Sequence, residues 1–470
     1  MARSAHERRL ARAALGVALL GLLGRHTSAQ TIRSDLPVTN GPVNALAVSG
    51  STLYIGGSFS SLQPANGGPV TRLGLAALDL PSGAIKPWNP QADGEVYDIV
   101  VSGSTVFVGG IFGTIGGQPR ECIAALDAAT GQVKPFHAGD FDALHNVHVY
   151  AVAASPTTVF VGGSFQLIDS QPREYLAAFD ATTGQLRPWN PQSGWEVDEL
   201  FLDDGTLYIG GRFQTMGGEA RRGLAAVDTS TGAVTTWNPQ ADSPVGALDV
   251  RGNSILTGGG FSMIGGQPRG RIAALDPSTG LADAWNPDAN AGVSSIAATG
   301  NAVYAGGSFT SIGGQPRNHL AALDPASGLA TAWDPNVNDP VMAIAVAEGT
   351  VCAGGFFTQV QGAPRSYLAA WHFEVTDVPG GPETGVRLEC APNPFRASAR
   401  IRYLLTEPVV VELDLFDLGG RQLAALIGGR TEPAGWHEAP LDGRGIDAGV
   451  YFCRLKAGSD TRVLRLLRID

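Results

Sequence analysis

The sequence predicts an all-β protein, a seven-bladed β-propeller followed by a small β-sandwich. Three observations carry that prediction. The motif Gly-Gly-x-Phe recurs with its Phe at 59, 112, 165, 213, 261, 309 and 357. A Val lies 16 residues before each Phe, at 43, 96, 149, 197, 245, 293 and 341. The 63 Gly and 30 Pro follow no collagen-like period, so they read as turns between many short strands.

Successive Phe residues are 53, 53 and then four times 48 apart. Copy five shows the unit most plainly. Its strand-like pieces are 245–250, 254–257, 271–275 and 281–285, split by Gly258-Gly259 and ended by Asn286-Pro287. Four short strands in such a period describe a propeller blade, whereas a solenoid places one or two elements in roughly 20–30 residues. Asp276-Pro-Ser-Thr-Gly280 reads as a turn, with the Asp side chain bonding nearby amides. Trp88, Trp189, Trp237, Trp285 and Trp333, with Phe136 in copy two, are expected to pack between blades.

The ends predict closure. The last copy stops after Leu368-Ala-Ala-Trp-His-Phe373 and lacks a fourth strand. The stretch 35–43 aligns with 334–341, which follows a fourth strand. Residues near 30–36 are therefore expected to complete blade seven and remove an exposed sheet edge.

Residues 1–29 read as a signal peptide: a basic start with Arg3, Arg8, Arg9 and Arg12, an apolar run 13–24, and Thr27-Ser-Ala29 before the cleavage point. The apolar run is too short to span a bilayer, and no later segment is long and apolar enough, so no transmembrane segment is expected after cleavage. The segment carries five Arg and one Glu, so residues 30–470 hold 27 basic against 42 acidic side chains. Such a surface repels nucleic acid.

The copies resemble the repeats of uncharacterised bacterial secreted β-propeller proteins, and more distantly kelch repeats. The matching residues in copy six are Gly306-Gly-Ser-Phe309, Gly313-Gly-Gln-Pro-Arg317, Leu320-Ala-Ala-Leu-Asp324 and Trp333-Asp-Pro335. The resemblance covers residues 30–374 and implies the fold, with little about function. A quinoprotein dehydrogenase motif is approached by Ala274, Asp276 and Gly280, but Trp285 falls one residue late and no vicinal Cys pair exists. No Ser nucleophile elbow, His-Glu-x-x-His or phosphate loop occurs, so no catalytic residue, metal ligand set or cofactor is assigned.

Three features share one predicted face. The first is an Arg in every copy, among them Arg120, Arg269 and Arg317, which either clamps an acidic ligand or pairs with local carboxylates and carbonyls. The second is a pair of insertions, around 63–69 and within 136–148. The latter brings His137, His145 and His148 near Asp140 and Asp142, a set that suits a metal but matches no defined spacing. The third is the channel end of the innermost strands. There Asp98, Asp198 and Glu199 stand where other copies carry small or apolar residues. Paired carboxylates suit acid–base chemistry or a bound cation, and are equally ordinary channel-facing groups in water.

After a polar linker at 375–385 the composition changes. The segments 401–405, 409–416, 449–455 and 462–467 read as strands. Pro392-Asn-Pro-Phe395, Leu415-Phe-Asp-Leu-Gly-Gly-Arg421 and Gly449-Val-Tyr-Phe452 resemble the Ig-like C-terminal sorting domains of type IX secretion substrates and of flagellar hook-capping proteins. The resemblance spans 386–470 and implies export by outer-membrane secretion machinery. Cys390 and Cys453 share this domain, near its first strand and a late one, and could form a disulfide; Cys122 and Cys352 fall in blades that are not neighbours and are expected as buried thiols. The reading is a secreted or cell-surface, non-enzymatic module that binds a glycan or protein on its insertion-bearing face. The alternatives are a propeller enzyme using channel carboxylates and a structural surface-layer component.

Overall fold

The computed structural model describes residues 30–470 except 142–146, 204, 348, 374–385, 392–394, 397, 417–420, 447–448, 459 and 469–470. The expected signal peptide, His145, Asp142 and the expected linker lie outside the described residues. The chain divides into two compact units, Met1–Val375 and Thr376–Asp470.

In the first unit each copy of the repeat folds into one antiparallel sheet. In copy five, Val245–Arg251 pairs with Ser254–Gly259, which pairs in turn with Ile272–Leu275. The middle strand is buried on both faces almost throughout, which is why it reads as a continuous apolar run rather than an alternation. Seven sheets of this kind are present among the described residues.

The glycine pairs hold the sheets together. The first Gly of each pair receives the Val that begins the next copy. A Cβ on Gly258 would lie 2.7 Å from Val293 Cγ1, and one on Gly306 would lie 2.7 Å from Val341 Cγ1. The series runs back to the start, because Gly354 of the last copy faces Val43 of the first, at 2.4 Å. The second Gly faces main chain: a Cβ on Gly307 would sit 2.1 Å from the Gly292 carbonyl oxygen. No side chain fits at either place: the first Gly packs each sheet on the next into a closed ring, and the second lies against the start of the innermost strand of its own copy.

Closure at the ends follows the expectation. Gln30–Ile32 pairs antiparallel with Leu368–Phe373, Ile32 opposite Trp371, as the outer strand of copy seven. The other copies correct the sequence reading. Their fourth piece is one isolated bridge, such as Leu275 to Ala282, and not a strand over 281–285. After that bridge the chain leaves the sheet to seat its Trp in the seam with the next copy. Trp285 Nε1 donates to Asp324 O at 3.1 Å, and Trp88, Trp189 and Trp237 do the same to Asp127, Asp228 and Asp276. The turn aspartates behave as predicted: Asp276 Oδ1 accepts from the Ser278 and Thr279 amides at 3.0 and 2.8 Å. Copy seven has His372 at this position, and Trp333 Nε1 is buried with no hydrogen-bond partner among the described residues. Sequence reading also missed a small hairpin between the second and third strands. In copy five it is Met263–Ile264 against Gln267–Pro268, turned by Gly265 and Gly266 at φ of 57° and 73°.

The second unit has two antiparallel sheets. One holds Arg387–Ala391, Ser398–Leu405 and Gly435–Asp442; the other holds Val409–Phe416, Gln422–Glu432, Gly449–Ala457 and Asp460–Arg468. Alternation along Ser398–Leu405 buries Ala399, Ile401 and Tyr403 against Leu413, Leu415 and Leu455 of the other sheet, as a sandwich requires. Cys390 and Cys453 enter this core from opposite sheets as thiols. Cys122 and Cys352 are buried thiols in the first unit, as expected. No helix among the described residues is long and apolar enough to cross a membrane.

Candidate functional site

The innermost strands surround a cavity of about 680 Å³. A β-bulge sets what lines it. Each innermost strand shifts register just after its first Val, as between Val96 and Asp98 and between Val197 and Glu199. A bulge breaks the strict in-and-out alternation of a strand. Two successive side chains therefore reach the cavity, Tyr97 with Asp98 and Asp198 with Glu199. The lining also includes Ser58, Arg212 and Phe356 just past the Gly pairs, and Pro42 and Glu95 just before the first Val. Those are the strand ends from which the second-to-third and copy-to-copy connections depart. The cavity thus opens on the face that bears both insertions.

The lining is lopsided. Copies two to four contribute Glu95, Tyr97, Asp98, Tyr150, Asp198, Glu199 and Arg212, while copies five to seven contribute Gly246, Ala247, Ser294, Ser295, Met342 and Ala343. Tyr97 and Tyr150 lie with ring centroids 5.7 Å apart, and His148 sits 5.8 and 5.3 Å from them. Burial, and then Glu95, push the Tyr97 hydroxyl up to about 12. The Nδ1 of His148 is buried with no hydrogen-bond partner among the described residues.

The acids differ in their partners. Asp98 Oδ1 accepts from the Ile99 amide and Oδ2 from the Val152 amide of the next copy, both at 2.7 Å. Burial pushes its carboxyl up to about 6 against the pull of these two donors. Asp249, which the sequence reading missed, repeats the arrangement with the Val250 and Ala298 amides at 2.7 Å, and burial raises its pKa too. Ser295 plays the same part in copy six, its Oγ accepting from the Ile344 amide at 3.0 Å. The signal that could have found Asp249 is an acid two residues further along an innermost strand than Glu199 stands in its own. Asp198 is raised by burial and held down by Arg212, whose Nε lies 3.1 Å from Oδ2. Among the described residues no donor reaches Glu199. Burial first, and then the carboxylates of Asp98, Asp198 and Asp249, hold it well above the usual range.

The structure separates the histidines. His137 accepts from the Gly139 amide at 3.1 Å and lines a different, open hollow with Asp140 and Asp169. His148 belongs to the channel mouth. Among the described residues no three His, Cys, Asp or Glu side chains converge on a point where a metal ion could sit. The arginines act as clamps within their own copies. Arg120 donates to the carbonyls of Pro119 and Lys134, Arg269 to those of Pro268 and Asp283, and Arg317 to those of Pro316 and Thr331. Each ties the hairpin between strands two and three to the start of the fourth piece. Of the two readings of the Arg ring, this geometry is the one that pairs it with local carbonyls.

Residues 172–366 match a family model described as outer membrane protein assembly factor BamB. With the closed ring of sheets, that match makes the chain a β-propeller repeat protein. No curated protein matches the chain. Among solved structures, the computationally designed Ika8 protein is 17% identical, covering 72% of this chain and 98% of its own, at a TM-score of 0.45. The N-terminal domain of Nup159 is 11% identical, covering 72% of this chain and 91% of its own, at 0.27. The GH43 protein BlXynB from Bacillus licheniformis is 11% identical, covering 93% and 90%, at 0.25.

Proposed function

We propose that the chain is a secreted or cell-surface, seven-bladed propeller that binds a glycan or protein without transforming it. Its site is the channel mouth on the insertion-bearing face, and its Ig-like C-terminal domain serves export through outer-membrane secretion machinery. The observation that carries this reading is the lopsided lining. Copies of one repeat fold alike, yet only copies two to four place tyrosines and unshared charges at the mouth. The description of the matched family as an assembly factor accords with an interaction role. The test is a screen of the full chain against glycan and protein arrays, repeated with a Tyr97→Ala/Tyr150→Ala variant. Binding that the double variant abolishes supports the site; binding that it leaves intact moves the ligand elsewhere.

One observation favours a second reading. Asp98, with its carboxyl pushed up to about 6, is protonated over part of the range where a general acid is useful. An enzyme of this kind would lose turnover on alanine substitution of Asp98, Asp198 or Glu199, while a binding module would keep a ligand held by the tyrosines.

A further inference from the structure

Glu199 is a channel acid that no hydrogen bond among the described residues holds in place. Asp98 and Asp249 each accept two main-chain amides, and so join neighbouring sheets as Ser295 does. Asp198 has Arg212. Glu199 lines the cavity, and the charged groups that bear on it are the three other carboxylates. A half-buried carboxylate that faces like charges is favoured by a cation that joins it. The equivalent positions in copies five and seven are Ala247 and Ala343, so the ring closes without an acid here.

The surroundings narrow what that cation is. An anionic group would meet four carboxylates, with Arg212 already engaged. A neutral sugar hydroxyl brings no positive charge to the acids around Glu199. A bare metal ion needs several ligands drawn tightly together, and no three such side chains converge. A larger organic cation has no such requirement, since its hydrogen bonds and field reach groups spread around it. Beside the acids, Tyr97 and Tyr150 offer ring faces and edges suited to an aliphatic stem or its charged head. The exposed Phe356 adds apolar surface at the rim.

We propose that the channel mouth takes a primary ammonium group on a flexible aliphatic stem, with Glu199 as its carboxylate partner and the Tyr97–Tyr150 pair along the stem. The inference rests on the reading of the mouth as the ligand site, and names the chemistry of what enters it. Two sources present that chemistry, a lysine side chain of a partner protein and a free polyamine.

The test is titration calorimetry on the full chain at low salt, with penta-lysine, spermidine and calcium ion as separate probes. Wild type is expected to bind penta-lysine or spermidine, and Glu199→Gln to weaken that binding by about tenfold or more. The variant is expected to melt no lower than wild type, because it removes an acid that faces like charges. A folding defect therefore does not mimic the result. Preference for penta-lysine assigns the group to a protein side chain, and preference for spermidine to a polyamine; both support the proposal. Equal binding by wild type and Glu199→Gln overturns it, as does no binding of either amine. Calcium binding that depends on Glu199 and displaces both amines overturns it in favour of a metal. A ligand from the arrays that Tyr97→Ala/Tyr150→Ala abolishes and Glu199→Gln spares leaves the mouth as the site and defeats only the ammonium. A ligand indifferent to both variants defeats both.

Discussion

After the first Val of the innermost strand, copies two to four carry Tyr97-Asp98, Tyr150-Ala151 and Asp198-Glu199; copies five to seven carry Gly246-Ala247, Ser294-Ser295 and Met342-Ala343. Both halves of the channel have the same register shift, the same Gly pair and the same Arg clamp. The plain half shows that this backbone needs neither a ring nor a charge at these channel positions. Tyrosines and acids on the other half are therefore surplus to folding, except where a carboxylate stands in for the Ser295 hydroxyl as an acceptor across the seam. Repeat proteins allow this separation, because each copy is a control for its sisters.

The largest effect should come from a feature that both halves share. A Cβ on Gly163 would lie 1.9 Å from the His148 carbonyl oxygen, and one on Gly307 2.1 Å from that of Gly292. Gly163→Ala and Gly307→Ala should each abolish recovery of folded protein, measured by circular dichroism and soluble yield. Disruption on one side alone would break the equivalence of the halves.

Next come the clamps. Arg120→Ala and Arg317→Ala each strip two carbonyls of their donor and should cost about 1–3 kcal/mol in urea unfolding. The cost should be similar on both halves and leave ligand binding unchanged. A smaller effect of opposite sign is expected at the channel acid. Glu199→Gln should raise the melting temperature by roughly 2–4 °C, and Ser295→Glu should lower it, by differential scanning calorimetry.

The smallest effect is a pH slope. The carboxyl of Asp98 titrates near 6 in the folded chain, above its ordinary 3.8, so the folded state takes up its proton first. Stability should rise as pH falls through 6 and be lost as pH rises through it. Asp98→Asn should flatten that slope in melting curves between the ordinary 3.8 and about 6. Further down the sign reverses. Hydroxyl hydrogen bonds from Ser230 and Ser278, backed by Thr231 and Thr279, hold Asp228 and Asp276 at about 2, so their contribution is lost on acidification below their ordinary range.

The recurring sheet unit, a closing strand near 30–36, the seam tryptophans and the positions that face the channel were all legible in the sequence. Each depends on a spacing that recurs, and a spacing survives without knowledge of any partner. The C-terminal strands at 401–405 and 409–416 were legible for a related reason, since alternation along one strand already declares its buried face. Only the tertiary structure decided what the polar side chains do there. Arg120 finds its second acceptor on Lys134, Asp98 finds its second donor on Val152 of the next sheet, and His137 and His148 part company on either side of one insertion. Those outcomes turn on hydrogen-bond distances between segments that meet when the ring closes. A repeat pattern places residues in register along the chain, but a carboxylate's partner, and hence its charge state, is set by the neighbouring sheet.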